Sequence, residues 1–407
     1  MPANSRTVSL GGNRRRYYSG VHDRACPAKF GKPHARSTNR FRLSTLLQIV
    51  PKAPGGIDGV GDYALTIAKK LRETFGCDTV FATFKTSSSQ NPGGFEVLPL
   101  DGLPERSIQK YDHVLLHYVN YGFQKRGVPF RLLTILQALV EQHRGRMVTI
   151  FHELYASGPP WTSAFWLRPL QIRLAKAVAR LSDTCIVSSD NFVSELKRMV
   201  PHARIQLHPV PSGLEEPSLS PNQIVDRDLH QWAIVGGTAL AERSLRSFRR
   251  LLSRIPDSVA PRSLFVLGGN ENPVTRSLLV DLAVQSDYRP RIAAAEASEI
   301  LRTCSFAWFD YFHRPDVETS VILKSSAFAA ACAHAVIPVF PHRGSVISLG
   351  SDRLPGPFFV EPDRSEIPDA HRRAKIASDI YDWYQRHCSS ESLVQAISKI
   401  FGLNRAQ

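Results

Sequence analysis

The sequence lacks the short patterns that most directly identify a fold or a cofactor. Its six cysteines are scattered and form no C-x-x-C pair, so we expect reduced thiols in a cytoplasmic protein, without a disulfide framework or a zinc site. There is no uninterrupted apolar run of eighteen residues, and the basic N-terminus lacks the apolar segment of a secretory signal. These absences predict a soluble or peripheral protein.

Positive charge is unevenly distributed along the 407 residues. The net charge is +15 at pH 7, and nine of these excess charges fall within residues 1–42. That segment has no hydrophobic periodicity, so we interpret it as an unstructured basic tail. Tyr17, Tyr18 and the arginines of the tail could contact nucleic acid, but no recognition module accompanies them. We therefore expect no specific nucleic-acid partner.

Apolar strands alternate with amphipathic helices in the rest of the chain, which is typical of parallel sheets joined by right-handed crossovers. A stretch rich in Pro, Ser and charge at 211–230 interrupts this alternation and predicts a linker. The α/β pattern predicts two doubly wound, Rossmann-like domains at 43–210 and 231–380 that face each other across a cleft. Helices are expected over 381–407 and could cross back to the first domain. A strand is also predicted over 291–294.

The stretch from Leu46 to Leu71 reads LLQIVPKAPGGIDGVGDYALTIAKKL. It predicts a buried strand, a glycine-rich break containing Gly55 and Gly56, and a helix for which Asp62 is a candidate N-cap. Glycines at the carboxyl end of a strand let a ligand approach the free N–H groups of the following helix. The same residues also fit a tight turn that binds nothing. Neither the dinucleotide fingerprint nor a Walker loop matches this spacing.

Two further glycine pairs, Gly236-Gly237 and Gly268-Gly269, occur where predicted strands of the second domain end. Open α/β sheets bind ligands at this edge, so both pairs are candidate ligand turns. Arg243 follows the first pair, and its planar guanidinium could pair with a phosphate. Arg243 fits a solvated helix face that carries several arginines equally well.

Lys324, Ser325 and Ser326 begin a predicted helix over 324–334 whose other residues are mostly small and apolar. A lysine, two hydroxyl groups and the free N–H groups of a helix N-terminus suit a diphosphate. The alternative is a lysine whose stem packs on apolar surface beside an ordinary N-cap serine. We favour the diphosphate site because a polar loop precedes the helix.

His152 and Glu153 end one predicted strand of the first domain, while His117, Asn120 and Tyr121 end the strand before it. A histidine at such a position can contact a sugar hydroxyl or act as an acid or base, although an isolated His-Glu pair is more often structural. We expect these residues to line the acceptor side of one cleft. The zinc pattern H-E-x-x-H is absent, so no metal site is predicted.

The helix predicted over 163–181 has a leucine-rich stripe and a separate stripe formed by Arg173, Lys176 and Arg180. Because aromatic residues stand at 161, 165 and 166, this helix could lie on an anionic membrane surface. A helix that packs on the core and exposes a basic face explains the same pattern, and we favour that interpretation. The D-x-D spacing of Asp226 and Asp228 falls in the linker, and we attribute it to chance.

In these residues the chain resembles the GT-B glycosyltransferases, in particular the retaining group-1/family-4 type. The stretch IVPKAPGGIDGVGDYALTIAKKL resembles the family's glycine loop, and TIFHELYASGPPW is similar to the segment around the family's histidine. The opening strands of the family's donor domain resemble AIVGGTALAERSLR and LFVLGGN, and its donor helix resembles LKSSAFAAACAHAVIPVF. The resemblance extends over residues 43–401.

The resemblance implies a hexosyltransferase-type enzyme of polysaccharide biosynthesis. It would bind a nucleotide-diphosphate sugar in the second domain and a glycan or lipid-linked acceptor in the first, and react with retention and without a metal or cofactor. Gly55 and Gly56 would approach the donor, His152 would contact the transferred sugar, and Arg243 would help to neutralise the leaving diphosphate. The expected location is the cytoplasm, with peripheral contact to the inner face of the membrane.

The sequence departs from this family at the donor helix. The usual pair of glutamates eight positions apart is absent, because Ser326 stands eight residues after Glu318. The lysine expected shortly after Arg243 is also absent, and Lys324 could supply its charge. Glu318, Ser325 and Ser326 remain the expected donor-binding residues of this segment. Two alternatives are a sugar-nucleotide epimerase of the same fold and a catalytically decayed protein that only binds a sugar nucleotide or polysaccharide.

Overall fold

The three-dimensional structure is a computed structural model. It describes residues 44–55, 59–84, 91–103, 108–280, 282–311 and 318–405. The predicted basic tail at 1–42, together with Gly56 and Cys26, lies outside these residues. The five cysteines that are described are free and buried, as expected for reduced thiols.

The first sheet is parallel throughout and has the strand order β3-β2-β1-β4-β5-β6-β7. Its strands are β1 (Thr45–Ile49), β2 (Asp78–Thr83), β3 (Glu96–Pro99), β4 (His113–Tyr118), β5 (Met147–Phe151), β6 (Thr184–Val187) and β7 (Ile205–Leu207). The central strands are almost continuously buried because helices cover both faces of the sheet. The strand order reverses between β1 and β4, which is where doubly wound sheets open a crevice.

Helices connect these strands. They are α1 (Gly59–Phe75), α2 (Asn120–Phe123), α3 (Phe130–Gln142), α4 (Ser163–Leu181) and α5 (Asp190–Met199). Side chains of α3, α4 and α5 fill the core on one face of the sheet, and α1 covers the other face. In α4, Val178 is buried in this core and Leu174 is also buried, as the favoured interpretation of its leucine stripe predicts.

The second sheet has the order β10-β9-β8-β11-β12-β15-β16 and is parallel except for the last pair. A short helix, α6 (Pro221–Val225), precedes it. The strands are β8 (Gln231–Val235), β9 (Ser263–Leu267), β10 (Gln285–Arg289), β11 (Phe306–Trp308), β12 (Ile337–Phe340), β15 (Phe358–Val360) and β16 (Ser365–Glu366), with a separate hairpin of β13 (Ser348–Leu349) and β14 (Asp352–Arg353). The crossover helices are α7 (Thr238–Leu251), α8 (Pro273–Val280), α9 (Ala294–Thr303) and α10 (Ser326–Ala333).

Two helices at the C-terminal end join the two halves. The first, α11 (Ala370–His387), packs on the second sheet, and α12 (Ser390–Phe401) buries Leu393 and Ile397 in the core of the first sheet. The chain therefore passes between the halves twice. Both passages meet at Glu216, whose carboxylate accepts hydrogen bonds from the Tyr384 and Ser390 hydroxyls and, at 2.9 Å, from the Ser390 N–H.

Several sequence predictions about single elements were wrong. The strand expected over 291–294 is absent, because β10 lies at Gln285–Arg289, Arg291 adopts φ +55° in a turn, and α9 begins at Ala294. The sequence QSDYR of β10 is polar because this strand is at the exposed edge of the sheet, so no apolar run marks it.

Helix boundaries account for the other corrections. The helix predicted from Lys324 begins at Ser326, since Lys324 ends a 3-10 turn over Thr319–Lys324 and Ser325 is the N-cap. Asp62 lies in the first turn of α1 rather than at its cap. The predicted linker at 211–230 contains α6. Among the described residues, no helix combines the length and apolarity needed to cross a bilayer.

Candidate functional site

Two adjoining cavities lie between the carboxyl edges of the two sheets. The first has a volume of about 400 Å³ and is walled by the start of α1, the ends of β5 and β6, and the segment 208–214. The second has a volume of about 370 Å³ and is walled by the turns after β8 and β9 and by the start of α10. Gly213, Leu214, Lys324 and Ser326 line both cavities, so the two form one continuous cleft.

A chain of hydrogen bonds supports His152 at the floor of the first cavity. Gln48 Oε1 of β1 lies 3.0 Å from His117 Nε2 of β4, and His117 Nδ1 lies 3.2 Å from His152 Nε2. An amide oxygen only accepts, so His117 Nε2–H donates to Gln48 and His117 Nδ1 accepts from His152 Nε2–H. The lone pair of His152 is thereby placed on Nδ1, which can accept a hydrogen bond from a ligand hydroxyl.

Both histidines of this hydrogen-bond network, His117 and His152, are held neutral. Burial and, to a smaller extent, the positive charge of Lys324 lower the pKa of His152 to about 4. Burial also lowers the pKa of His117 well below its ordinary value. Tyr63 of α1 meets both imidazole rings edge-on, with centroid distances of 5.7 Å to His117 and 5.0 Å to His152. The arrangement suits a hydrogen-bond acceptor better than a proton donor at neutral pH.

Lys324 stands where the two cavities meet, and its positive charge acts on His152. Its Nζ lies 4.1 Å from the centroid of the Phe192 ring of α5, so the side chain spans from the second half to the first. Burial lowers the pKa of Lys324, and the exposed carboxylate of Glu153 opposes this shift. A half-buried ammonium in a cleft is a strong site for a negatively charged ligand.

The start of α10 adds hydrogen-bond donors beside Lys324. The Ser325 hydroxyl accepts from the Phe328 N–H at 3.2 Å and so caps the helix. The residues at the first two helical positions, Ser326 and Ala327, line the second cavity, where their N–H groups have no acceptor within the helix. The ammonium, the N–H groups and the positive end of the helix dipole all favour an anion at this position.

The glycine pairs of the second half approach each other closely. Gly236, Gly237, Gly268 and Gly269 all line the second cavity. Gly268 and Gly269 adopt φ +95° and +70°, and a Cβ on Gly269 would lie 2.7 Å from the Thr238 backbone nitrogen. Gly268 and Gly269 are thus required for the close packing of the two turns, and they also leave backbone exposed to a ligand.

Other predicted residues lie outside the walls of these cavities. Arg243 Nε donates to the Asp310 carbonyl oxygen at 2.6 Å, at the end of β11. Gly55 adopts φ +93° next to Pro92, and Glu318 is exposed ahead of the 3-10 turn that leads to Lys324.

The residues expected on the acceptor side of the cleft differ in their positions and partners. His117 belongs to the hydrogen-bond chain behind His152. Asn120 is buried, with its amide nitrogen 3.5 Å from the Leu154 carbonyl oxygen, and the Tyr121 hydroxyl accepts from Gln171 Nε2 at 3.2 Å. Glu153 is exposed and acts through its charge on Lys324.

Sequence reasoning missed residues whose role depends on their neighbours in space. Gln48 is a polar residue within a buried apolar strand, and that contrast was the signal that could have identified it. Tyr63, His208 and Gly213 also line the first cavity. The Asp226 and Asp228 pair lies outside both cavities, and no cluster of three potential metal ligands occurs among the described residues.

Comparison with solved structures addresses the fold. The E. coli trehalose-6-phosphate protein bound with UDP-2-fluoro glucose superposes with a TM-score of 0.52 at 10% identity, covering 89% of this chain and 100% of that one. The OtsA apo structure gives a TM-score of 0.51 at 11% identity, covering 88% and 99%. Both neighbours are GT-B proteins, and both superpose over the two halves of this chain. This chain has the GT-B fold.

The GT-B assignment comes from three-dimensional similarity. No protein-family model matches the sequence, and no curated protein sequence matches it. The GT-B architecture explains why the cleft lies between the carboxyl edges of two doubly wound sheets.

Proposed function

We propose that this protein is a glycosyltransferase. It transfers a hexose from a nucleoside-diphosphate sugar to a glycan or lipid-linked acceptor, with retention of configuration and without a metal or cofactor. The observation that carries the proposal is the continuous cleft in which Lys324 and the start of α10 stand between the His152 cavity and the glycine turns. The GT-B neighbour bound with UDP-2-fluoro glucose supports the donor class.

The cleft suggests how the substrates divide between the halves. The second cavity, lined by backbone glycines, would take the nucleoside of the donor, and its diphosphate would lie at Lys324 and the N–H groups of Ser326 and Ala327. The hexose would then extend into the first cavity, where His152 Nδ1 accepts a hydrogen bond from one of its hydroxyl groups. The acceptor would enter from the side of the first sheet.

Charge stabilisation of the leaving group is the main chemical demand on this site. The bond between the anomeric carbon and the diphosphate oxygen breaks, and the acceptor oxygen forms a bond to the same carbon. The negative charge that develops on the diphosphate is stabilised by Lys324 and by the helix N-terminus, which are already in place before reaction. Retention requires the acceptor to approach on the face from which the diphosphate leaves, so that a diphosphate oxygen takes the acceptor proton.

A two-stage experiment tests the proposal. Thermal-shift measurements with a panel of nucleotide sugars and nucleoside diphosphates should show stabilisation that grows with ligand concentration for one donor and its diphosphate. The stabilising donor is then incubated with acceptor extracts, and the anomeric configuration of the product is determined by NMR. Isomerisation of the donor without an acceptor would contradict transfer, as would the absence of stabilisation by every nucleotide.

An inverted product would contradict the retention part alone. In that outcome Asp62 becomes the candidate base, because it is the carboxylate among the described residues that line the first cavity.

A further inference from the structure

A third cavity lies at the junction of the two halves, outside the cleft. It has a volume of about 600 Å³, which exceeds that of either cavity of the cleft. Its walls come from the end of β7, the turn of the β13–β14 hairpin, the last turn of α11 and one side of α12. Of the described residues that line it, only His208 also lines the first cavity, and none lines the second. We call this cavity the junction pocket.

One side of α12 forms a wall of the junction pocket. Residues spaced three and four positions apart share a helix face. The α12 residues that line the pocket follow this spacing and are Ser392, Gln395, Ala396, Lys399 and Ile400. The other face buries Leu393 and Ile397 in the core of the first sheet. The apolar face thus accounts for the packing of α12, and the mixed polar face is left available to a ligand.

The charges that line the junction pocket are positive. Arg386 of α11 and Lys399 of α12 both line it, and none of its described lining residues is Asp or Glu. Asp352 of β14 accepts from Arg386 Nε and Nη2 at 3.0 and 2.8 Å and from His387 Nε2 at 2.7 Å, so this carboxylate orients both side chains. Lys399 is exposed and has no carboxylate partner in the described part of the chain. A lysine and an oriented guanidinium at one cavity suit a phosphate group.

Uncharged polar side chains also line the junction pocket. Gln395 Nε2 donates to Glu391 Oε1 at 2.9 Å, which leaves the Gln395 amide oxygen available as an acceptor. The amide of Gln206 has no hydrogen-bond partner among the described residues. Ser392 Oγ lies 3.0 Å from Nε2 of the buried His208, and its remaining lone pair can accept from a ligand. Amide and hydroxyl groups of this kind suit a ligand that carries several hydroxyl groups.

We propose that the junction pocket binds a sugar phosphate. The phosphate would lie between Arg386 and Lys399, and the sugar hydroxyl groups would contact Gln206, Ser392 and Gln395. An inorganic anion would leave the uncharged groups unused, and a neutral sugar would leave both cations without a counter-ion. The described lining contains no Phe, Tyr or Trp on which a nucleobase could stack, so a nucleotide fits the pocket less well.

A ligand in the junction pocket would connect the two halves of the protein. Lys399 belongs to α12, which packs on the first sheet, whereas Arg386 belongs to α11, which packs on the second. A sugar phosphate held by both residues should therefore raise the melting temperature as its concentration increases. The inference stands apart from the proposed transferase activity, because this binding is measured without any nucleotide or acceptor.

The test is isothermal titration calorimetry of the full chain with defined probes. The probes are glucose 1-phosphate, glucose 6-phosphate, fructose 6-phosphate and mannose 6-phosphate, with inorganic phosphate and glucose as references. We expect one hexose phosphate to bind at least about tenfold more tightly than inorganic phosphate, because only the hexose phosphate also reaches the uncharged groups. Glucose alone should give no measurable binding.

Variants locate the bound probe. Lys399→Met and Arg386→Met should each raise the Kd of the hexose phosphate about tenfold, since each removes a charged donor. Lys324→Met, in the cleft, should bind the probe like the parent. The matched control Lys375→Met replaces an exposed lysine of α11 that pairs with Asp379 at 2.9 Å outside the pocket, and it should also bind like the parent.

A further variant tests the contact with the sugar. Gln395→Leu keeps the approximate size of the side chain and removes its amide, so it should weaken hexose phosphate binding about threefold and leave the Kd of inorganic phosphate unchanged. Melting temperatures without ligand should be equal for the parent and the variants. If Arg386→Met alone melts lower because Asp352 loses its partner, Lys399→Met decides the outcome.

Four results would overturn the proposal. A Kd that rises in Lys324→Met but in neither pocket variant would place the phosphate in the cleft. Equal Kd values in the parent, Lys399→Met and Arg386→Met would exclude the junction pocket as the site. Equal affinities for hexose phosphate and inorganic phosphate would exclude recognition of the sugar. Absence of binding by every hexose phosphate of the panel would leave the pocket without its proposed ligand.

Discussion

At the residue scale, the site pairs a neutral histidine with a charged lysine in one half-buried cleft. His152 is neutral at neutral pH because desolvation and the positive charge of Lys324 lower its pKa to about 4. Burial lowers the pKa of Lys324, and the carboxylate of Glu153 opposes this shift and so favours the charged ammonium. The cleft can thus offer an uncharged acceptor to a sugar hydroxyl and a cation to a diphosphate at the same pH.

Replacement of Lys324 tests the proposed role of its charge. The variant Lys324→Met keeps the length of the side chain and removes the ammonium, so kcat/KM should fall about a hundredfold. The control Lys197→Met, at an exposed lysine of α5, should retain full activity. Arg243 donates a hydrogen bond to a backbone carbonyl outside the cavities. Arg243→Ala should therefore lower kcat/KM less than Lys324→Met does. Steady-state kinetics with the donor identified by thermal shift would decide this, and equal losses for all three variants would refute it.

Gln48 is expected to act through the tautomer of His152. In Gln48→Leu the His117 Nε2–H loses its acceptor, so His152 Nδ1 is no longer fixed as the lone-pair nitrogen. We expect kcat/KM to fall about tenfold, equal to about 1.4 kcal/mol. Nitrogen NMR of the imidazole rings should show His152 protonated at Nε2 in the parent and a mixture of tautomers in the variant. A loss of activity with unchanged tautomer would leave Gln48 a structural residue only.

His152 and Lys324, which both line the first cavity, were proposed from the sequence because each was predicted at the end of a strand or the start of a helix, where chain order alone predicts a ligand edge. The sequence did not identify Gln48 and Tyr63. Their role arises because β1 lies beside β4 and α1 covers that pair, and a lateral arrangement of this kind is not encoded in local spacing.

At the element scale, the second half depends on two strand-to-helix turns that touch. The turn after β9 packs against the turn after β8, and Asn270 N–H donates to the Thr238 hydroxyl at 2.7 Å between them. Backbone contacts this close leave no room for a side chain at Gly269.

Gly269→Ala should therefore disrupt both the fold and donor binding. Its Cβ would meet the Thr238 nitrogen at 2.7 Å, whereas Gly350, with a similar φ of +62°, has open space around it. Gly350→Ala should lower the free energy of unfolding by about 1 kcal/mol, because alanine is strained in a left-handed backbone conformation. We expect Gly269→Ala to lower the free energy of unfolding by at least about 2 kcal/mol more than Gly350→Ala does. It should also abolish the thermal stabilisation of the protein by nucleotides. Urea unfolding of both variants measures the difference, and equal midpoints would show that the turns can separate freely.

Element prediction succeeded where periodicity was strong. The helix at Ser163–Leu181 has the predicted bounds, because an apolar stripe runs along it. It failed for β10, whose polar sequence reflects its place at the sheet edge. The predicted start of α10 was also wrong, because Lys324 belongs to the 3-10 turn that precedes the helix.

At the scale of the whole molecule, alternation of strands and helices was enough to predict two facing α/β halves. We retain the proposed division into 43–210, 231–380 and the C-terminal helices over 381–407. The helix α12 returns to the first sheet, where its apolar face is buried.

Buried neutral histidines should make the whole protein sensitive to acid. Burial lowers the pKa of His208 and His334 to about 4, whereas the unfolded chain titrates near 6.5. Between these values the unfolded state binds protons that the folded state does not, so stability rises with pH through this window and is complete above it. Each of the two histidines should lower the free energy of unfolding by roughly 2 kcal/mol when the pH falls from about 7 to about 5.

Urea unfolding at the two pH values measures this loss. The variant His208→Gln should show a smaller loss than the parent, because one of the titrating groups is removed. His202→Gln, at an exposed histidine, should behave like the parent. Parent stability that is independent of pH across the window would contradict the prediction.

The position of α12 has a consequence for synthesis on the ribosome. Strand β1 is translated early, and α1 lies on one of its faces. That same face is also covered by α12, which is translated some 340 residues later. Until α12 has left the exit tunnel, the nascent first half presents an apolar surface to solvent while the second half is still being made. Nascent chains of this protein should therefore depend on chaperones throughout elongation, and messages that end before Ser390 should yield aggregates rather than a functional half.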